Sequence, residues 1–254
     1  MDISLKGKHA IICGASKGIG RATAQEMARN GASVSLVARS AEGLEKVKAS
    51  LDVAQGQKHH IVTADFNDPI ALAAKIEAHI KVVGAVHILL NNTGGPAAGP
   101  VHTATAEQFL ATFTQHLLCN HALMQATLEG MKQAGYGRII NIISTSVKQP
   151  IKGLGVSNTI RGAVANWAKT LSAEVAQFGI TVNNVLPGAT DTDRMAEIIT
   201  GKAAKFGKSE DEIREQEIAA IPAGRFGKPE ELAAAIAFLA SPAAAYINGI
   251  NLPV

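Results

Sequence analysis

KHAIICGASKGIGRATAQEMARN, the stretch from Lys8 to Asn30, decides the fold of this chain. The short apolar run His9–Cys13 predicts a buried strand, because it is too short to form a helix. Glycines follow, and the small and apolar residues after them recur at helical spacing up to Asn30 and Gly31, a pair that typically ends a helix. A strand, a glycine-rich turn and a helix make up the first half of a dinucleotide-binding unit.

The turn itself has the chemistry of a phosphate site. Glycine lets the backbone bend sharply and lets a pyrophosphate approach the main-chain N–H groups, and the start of the helix adds partial positive charge there. A glycine triplet alone is weak support, but one that lies between a strand and a helix is good support for dinucleotide binding. The residues predicted to hold the cofactor here are Gly14, Ser16, Lys17, Gly18, Ile19 and Gly20.

The remaining chain alternates between strand-like and helix-like segments. Further runs predict strands at 34–38, 61–64, 86–90, 138–143, 180–186 and 247–252, and the clearest helical patterns lie at 106–134, 155–178 and 229–239. Alternation of this kind predicts a parallel sheet with helices on both faces. The expected fold class is therefore α/β, a single-domain doubly wound (Rossmann) parallel sheet of about seven strands.

Size and composition limit the possible classes of protein. The chain has 254 residues, 47% of them hydrophobic, which suffices for one domain spanning 1–254. A net charge of +3 is too small to indicate binding to nucleic acid or to a membrane. Cys13 and Cys119 are too few for a disulfide framework, and no long apolar segment marks a signal peptide or a membrane span. We therefore expect a cytoplasmic protein.

One segment, 189–222, is long, charged and weakly patterned. It follows the sixth predicted strand, and the ligands of such sheets bind beyond the carboxyl ends of the strands. We therefore predict that 189–222 is a mobile substrate lid within the single domain.

The end of the second strand indicates which dinucleotide binds. An acidic residue at this point would bind the ribose 2′-hydroxyl of NAD, but the chain has Ala38, Arg39 and Ser40 instead. Together with Lys17 in the glycine turn, the site offers two cations and no carboxylate, which suits the 2′-phosphate of NADP(H). The alternative is that Arg39 is only a solvated surface residue.

Further motifs recur along the chain in the order of a known family. The G-x-x-x-G-x-G spacing of the turn, Asn-Asn-Thr-Gly at 91–94 and a Pro-Gly element followed by Thr resemble the short-chain dehydrogenases/reductases, closest to 3-oxoacyl-carrier-protein reductase-like members. Cys13 and Thr93 depart from that pattern, which usually has Thr and Ala there. The resemblance implies a homo-tetramer or homo-dimer paired through the helices at 106–134 and 155–178. It also implies further cofactor contacts from Asp65, Phe66, Asn92, Gly94, Pro187, Gly188 and Thr192.

The active centre departs further from the family pattern. Members use Ser, then Tyr thirteen residues on and Lys four after that, plus an Asn on the preceding helix. Ser144 matches, but the Tyr and Lys positions hold Ser157 and Arg161. The Asn position aligns with His116, or with Asn120 if the helix is shifted by one turn.

The Tyr-x-x-x-Lys motif is absent rather than displaced, because neither Tyr136 nor Tyr246 precedes a lysine by four residues. Carbonyl reduction needs a hydride donor, a proton for the developing alkoxide and a charge that holds the nicotinamide ribose. Tyr supplies that proton in the family because the neighbouring Lys lowers its pKa. Arg161 keeps the positive charge and can hold ribose but essentially never gives up a proton, whereas His116 can give one near neutrality. A donor cluster around a carbonyl oxygen would consist of Ser144, Ser157 and Arg161.

Each of these residues also has a purely structural interpretation. Ser157 and Asn158 are residue types favoured as helix caps, and Arg161 can pair with a carboxylate. His116 and Cys119 can pack between helices rather than bind a metal, and no metal site is predicted.

The sequence thus predicts an NADP(H)-dependent oxidoreductase that acts on a small-molecule carbonyl or alcohol with an altered catalytic centre. A lost general acid costs about 10²–10⁴ in rate, whereas positioning contributes about 7–11 kcal/mol, so turnover without Tyr is chemically feasible. The main alternative is a catalytically silent NADP-binding regulatory protein. Non-redox chemistry ranks last, because the related haloalcohol dehalogenases, which also have Arg for Lys, keep Tyr and lose the glycine turn.

Overall fold

The protein is built on one seven-stranded parallel sheet, seen in a computed structural model that describes all 254 residues. The strands are β1 (His9–Cys13), β2 (Ser33–Ala38), β3 (His60–Thr63), β4 (Ile88–Asn91), β5 (Gly137–Ile142), β6 (Ile180–Leu186) and β7 (Asn251–Pro253). Their spatial order is β3-β2-β1-β4-β5-β6-β7. The order reverses between β1 and β4, the point where ligands bind in doubly wound sheets. The predicted fold class is confirmed.

Helices cover both faces of the sheet. They are α1 (Gly18–Arg29), α2 (Ala41–Lys48), α3 (Pro69–Val83), α4 (Ala106–Phe113), α5 (Cys119–Ala134), α6 (Gly155–Val175), α7 (Asp193–Phe206), α8 (Glu210–Ala219) and α9 (Pro229–Ala240). None of them combines the length and the apolar character that crossing a bilayer requires.

The burial of β1 explains why its sequence is apolar without alternation. Ala10 and Ile12 belong to a core shared with α1, α2 and α9. Ile11 and Cys13 belong to a second core, shared with α3, α5 and α6. Successive side chains of a strand point to opposite faces, so a strand covered on both faces is apolar at most of its positions.

The last strand differs from its predicted position at 247–252. It begins at Asn251, and the chain bends at Gly249 just before it. Gly249 has a left-handed φ of 69°, and Asn248 Oδ1 accepts a hydrogen bond from the Val182 N–H at 2.8 Å.

The long helix predicted at 106–134 is interrupted. A π-helical turn, Thr114–Leu118, lies between α4 and α5. Such turns insert an extra residue into a helix and often occur at functional sites. His116 lies within this turn and is buried.

The segment 189–222, predicted to be a weakly patterned lid, contains α7 and α8. The two helices are joined by an ion pair of 2.6 Å between Lys202 and Glu217. Gly227 closes the base of the segment through backbone hydrogen bonds with Ala189 and Asp191. The helices share a small apolar core of Ile199, Ala203, Ile213 and Phe226.

Four asparagines form a hydrogen-bonded ladder across the sheet. Asn91 Nδ2 donates to Asn141 Oδ1 at 2.8 Å, Asn141 Nδ2 to Asn184 Oδ1 at 2.9 Å, and Asn184 Nδ2 to Asn251 Oδ1 at 2.8 Å. The four residues are direct partners in the register of β4, β5, β6 and β7. Because buried amides need partners, the ladder ties these strands together just below the edge where they end.

Histidines cluster at the opposite, amino-terminal edge of the sheet. Ser35 Oγ lies 2.7 Å from His9 Nε2 and 2.6 Å from His79 Nε2, and the His60 ring lies 5.4 Å from the His79 ring. Burial, followed by the neighbouring histidines, lowers the pKa of His9 to about 4. Burial also lowers the pKa values of His60 and His79.

We expect this cluster to make the protein acid-sensitive. The unfolded chain takes up a proton at His9 near pH 6.5, whereas the folded protein does so only near pH 4. Stability is therefore full above pH 6.5 and falls as the pH drops toward 4, by roughly 2–3 kcal/mol from His9. Urea unfolding at pH 7 and pH 4.5 should show a smaller loss for His9→Gln than for the unmodified protein. His102→Gln, which changes an exposed histidine, is the control, and equal losses in all three proteins would contradict the assignment.

Candidate active site

The residues predicted for the site all lie at the carboxyl edge of the sheet or on helices beside it. The glycine turn follows β1, Arg39 and Ser40 follow β2, and Asp65 and Phe66 follow β3. Beyond the next three strands come Asn92 and Gly94 after β4, Ser144 after β5, and Pro187, Gly188 and Thr192 after β6. Ser157 and Arg161 lie on α6, and His116 on the π-helical turn.

The glycine turn is packed too tightly for side chains. A Cβ on Gly20 would overlap the Gly14 carbonyl, and a Cβ on Gly14 would lie 2.7 Å from the Asn92 side chain. Gly14 and Gly18 also have left-handed φ values of 62° and 56°, which glycine adopts freely. Asn92 Nδ2 donates to the Cys13 carbonyl at 3.2 Å and so ties the end of β1 to the end of β4.

The start of α1 is open to an anion. Its N-cap, Lys17, makes no side-chain capping hydrogen bond, and the first turn has no acidic residue. The first N–H groups of a helix lack intrahelical partners and carry partial positive charge. The turn and the helix start therefore offer the unpaired N–H groups and partial positive charge that an anion such as a pyrophosphate requires.

The end of β2 presents a cation to solvent. Arg39 is exposed, and its charge contributes to the lowered pKa of Asp65, whose main cause is hydrogen bonding from Asn67. Ser40 caps α2, and its Oγ accepts a hydrogen bond from the Gly43 N–H at 3.1 Å.

Lys17 has a partner that the sequence did not indicate. Its Nζ lies 3.3 Å from Asp193 Oδ2, at the start of α7, and both side chains are largely exposed. Arg194 Nη2 donates to the Pro96 carbonyl at 2.8 Å. The segment 189–222 thus contacts the glycine turn and the loop after β4, on either side of the switch point.

Ser144 and Ser157 are both partly accessible. Ser144 Oγ accepts a hydrogen bond from the Ser146 N–H at 3.1 Å and so begins a short 3₁₀ turn. The capping interpretation of Ser157 and Asn158 is wrong, because α6 begins at Gly155 and its N-cap is Leu154.

Arg161 is a buried cation without a carboxylate. Its side chain donates one hydrogen bond, from Nη1 to the Ile142 carbonyl at 2.6 Å, and it is in no ion pair, so the carboxylate interpretation is wrong. The residue is 8% exposed. Burial lowers the pKa of Arg161 to about 10, which leaves it charged at neutral pH.

His116 is buried in the π-helical turn. Its Nδ1 lies 2.7 Å from Thr93 Oγ1, while its Nε2 is buried without a hydrogen-bond partner. Burial and then the charge of Arg161 lower the pKa of His116 to about 2. The ring is therefore neutral at pH 7, which corrects the expectation that it titrates near neutrality. Asn120, the other residue considered for this position, is buried in α5.

Both tyrosines lie away from Ser144. The Tyr136 hydroxyl donates to the Ala240 carbonyl at 2.6 Å, just before β5 begins. Tyr246 is fully exposed and precedes β7. All strands are parallel, so both tyrosines lie near the amino edge and Ser144 lies at the carboxyl edge. No group of three or more His, Cys, Asp or Glu side chains is placed to hold a metal ion.

Gly20→Ala tests the packing of the turn. We expect a loss of about 1–3 kcal/mol in unfolding free energy from the overlap with the Gly14 carbonyl, together with weaker dinucleotide binding. Gly201→Ala, on the exposed side of α7 with nothing near its Cβ, should be neutral or stabilise by up to about 1 kcal/mol. Urea unfolding and calorimetric titration with NADPH measure both effects. Unchanged stability and affinity in Gly20→Ala would show that the turn can relax.

Comparison with known proteins identifies the family. The chain matches a family model described as Enoyl-(Acyl carrier protein) reductase over residues 14–254. It is 34% identical to the 3-oxoacyl-[acyl-carrier-protein] reductase FabG of Vibrio cholerae, over 99% of this chain and 97% of that protein. It is 33% identical to the NADPH-dependent reductase BacG of Bacillus subtilis, over 94% of this chain and 93% of that protein.

A solved structure agrees in fold over the whole chain. The L-sorbose reductase from Gluconobacter frateurii, complexed with NADPH and L-sorbose, superposes with a TM-score of 0.93 at 30% identity, covering 100% of this chain and 97% of that one. From the carboxyl-edge site, the family model and these relatives together, we conclude that this chain belongs to the short-chain dehydrogenase/reductase family of oxidoreductases.

Proposed function

We propose that this protein is an NADP(H)-dependent oxidoreductase that interconverts a small carbonyl compound and its alcohol, with Ser-Ser-Arg in place of Ser-Tyr-Lys. The observation that carries the proposal is the environment of Arg161. This buried cation lies beside the carboxyl edge of the sheet and has no carboxylate partner. A buried charge without an oppositely charged partner is costly, so Arg161 indicates a ligand that brings oxygen acceptors to this point. The hydroxyls of a nicotinamide ribose are such acceptors.

NADP(H) fits the other end of the site. The tight glycine turn leaves main-chain N–H groups for the pyrophosphate, and Arg39 and Ser40 lie where the adenine ribose would be. Arg39 can provide the stronger contact to a 2′-phosphate, because Lys17 already shares its charge with Asp193. A relative described as an NADPH-dependent reductase and another solved in complex with NADPH support this choice.

The main role of the chain's own residues would be to position the substrate, and protonating it would be secondary. A bound nicotinamide would supply or accept the hydride. Ser144 and Ser157 can donate hydrogen bonds to a carbonyl oxygen, and Arg161 can stabilise the negative charge that develops there. His116, neutral at pH 7, can take part through hydrogen bonds, as neutral imidazoles do in other enzymes.

A non-catalytic function is the alternative. The distance of both tyrosines from Ser144 favours it, since no phenol is available as an acid at the carboxyl edge. A protein that binds NADP(H) and does not turn over would be a regulator that responds to the cofactor.

Three further properties belong to the proposal. The segment 189–222 would act as the substrate lid, because it contacts both sides of the switch point. Copies of the chain would pair through α4, α5 and α6 into a homo-dimer or homo-tetramer. The protein would work in the cytoplasm, consistent with its two free cysteines.

Cofactor preference tests the first part of the proposal. One charge-assisted contact from Arg39 is worth about 1.5–3 kcal/mol, or roughly 10- to 150-fold in affinity. Calorimetry should therefore show tighter binding of NADPH than of NADH, and Arg39→Asp should erase or reverse the preference. Lys58→Asp makes the same charge change at an exposed position before β3 and should leave the preference intact. Equal affinities in the unmodified protein would contradict the proposal.

Restoring the missing pair tests the catalytic part. Ser157→Tyr combined with Arg161→Lys should create or raise NADPH-dependent reduction of simple diketones, followed by absorbance. The gain should not exceed about 10²–10⁴-fold, the contribution of a general acid, and Ser144→Ala in that background should remove much of it.

The other outcomes of this experiment are also informative. A folded double variant that binds NADPH but reduces no carbonyl in a broad panel would favour the regulator. An unmodified protein that is faster than the double variant would show that the existing centre has its own chemistry.

A further inference from the structure

The start of α7 is linked to both sides of the switch point by two neighbouring charged side chains. Asp193 Oδ2 lies 3.3 Å from the Nζ of Lys17, which belongs to the glycine turn after β1. Arg194 Nη2 donates a hydrogen bond of 2.8 Å to the Pro96 carbonyl, in the loop after β4. The two links therefore span the crevice in which the cofactor is expected to bind.

The same stretch of chain lies directly against the glycine turn. Thr192 is the N-cap of α7, and its Cγ2 lies 3.5 Å from the position that a Cβ on Gly18 would take. Gly18 is the first residue of α1, so the start of one helix lies beside the start of the other. A ligand at the start of α1 therefore binds beside Thr192 and Asp193.

Few other contacts hold α7 in this place. The helices α7 and α8 pack against each other more than against any other helix or strand, and their small apolar core is separate from the two large cores of the sheet. At the base of the segment, Gly227 holds Ala189 and Asp191 by backbone hydrogen bonds. The ion pair between Lys17 and Asp193 is therefore one of the few links that keep the start of α7 on the glycine turn.

The partner of Lys17 is an anion, as a phosphate of the cofactor would be. Asp193 is the one ion-pair partner of Lys17, and both side chains are largely exposed. An exposed pair of single charges contributes little to stability. A phosphate monoester, such as the 2′-phosphate of NADP(H), carries about 1.5 to 2 negative charges near neutral pH and three acceptor oxygens. It therefore competes well with one carboxylate for the ammonium group.

We propose that Asp193 competes with a phosphate of NADP(H) for Lys17. In the free protein, the carboxylate takes the place of that phosphate and latches the start of α7 to the glycine turn, and the cofactor must displace it in order to bind Lys17. This inference rests on the proposed function, in which the glycine turn binds NADP(H). The protein therefore binds its cofactor less tightly than an unpaired Lys17 would allow.

Hydrogen exchange of the free protein tests the latch without any ligand. Lys17→Met removes the ion pair and leaves α7 itself unchanged, so the amides of α7 should exchange up to about fivefold faster, the value of one exposed ion pair. Lys46→Met, which changes an exposed lysine that pairs within α2, is the control and should leave exchange in α7 unchanged. Exchange in α7 that is the same in Lys17→Met as in the unmodified protein would overturn the latch.

Calorimetry with NADPH tests the competition. Asp193→Asn should tighten binding by up to about fivefold, whereas Asp211→Asn, the same change in the first turn of α8, should have no effect. In a Lys17→Met background, Asp193→Asn should bring no gain, because the competition requires the lysine. Unchanged or weaker binding in Asp193→Asn, or an equal gain in both backgrounds, would overturn the proposal.

The same titrations with NADH identify which phosphate competes. A gain with NADPH but not with NADH assigns Lys17 to the 2′-phosphate, which NADH lacks. An equal gain with both cofactors assigns Lys17 to the pyrophosphate, which they share.

The experiments also separate this inference from the proposed function. If the unmodified protein binds neither NADPH nor NADH, the proposed function fails and the competition fails with it, whereas hydrogen exchange still decides whether Lys17 holds α7. If NADPH binds but Asp193→Asn brings no gain, the proposed function stands and the competition fails.

Discussion

The approach of Gly20 to the Gly14 carbonyl is the contact on which the rest of the site depends. It brings the start of α1 directly against the end of β1, with no room for a methyl group between them. Asn92 packs against Gly14, and its side-chain amide donates a hydrogen bond to the Cys13 carbonyl. The end of β4 is therefore held at the same point. Both strands flank the place where the strand order reverses, and the crevice of a doubly wound sheet opens there. The position of every other site residue follows from how its strand or helix is placed relative to this junction.

The sheet could be predicted well because its signals are local. A strand covered on both faces is apolar at most positions, and runs such as 9–13 have no helical periodicity that would compete. The prediction failed where a polar side chain replaces a backbone partner, as Asn248 does before β7. The π-helical turn around His116 was also missed, because one extra residue in a helix leaves the apolar pattern on both sides intact.

The positions of the site residues along the chain could be predicted from the sequence, but the contacts between their side chains could not. Thr93 was recognisable as an unusual residue, yet its partner His116 lies in another element, and no spacing rule links the two. The pairing of Lys17 with Asp193 was invisible for the same reason. The charge states of Arg161 and His116 depend on burial, which a sequence pattern indicates only coarsely. A histidine expected to titrate near neutrality is neutral because it lies out of water beside a cation.

The asparagine ladder has a consequence for how the sheet is assembled. A shift of one residue in any of its strands would turn an asparagine to the other face, leaving amides unpaired in a dry environment. The ladder therefore acts as a register check on four strands at once. Its final rung, Asn251, comes from β7, which follows the other six strands in the chain. Until β7 docks, the Asn184 amide has no partner from that strand, so the half of the sheet formed by β4 to β7 reaches its final order only after β7 has been synthesised.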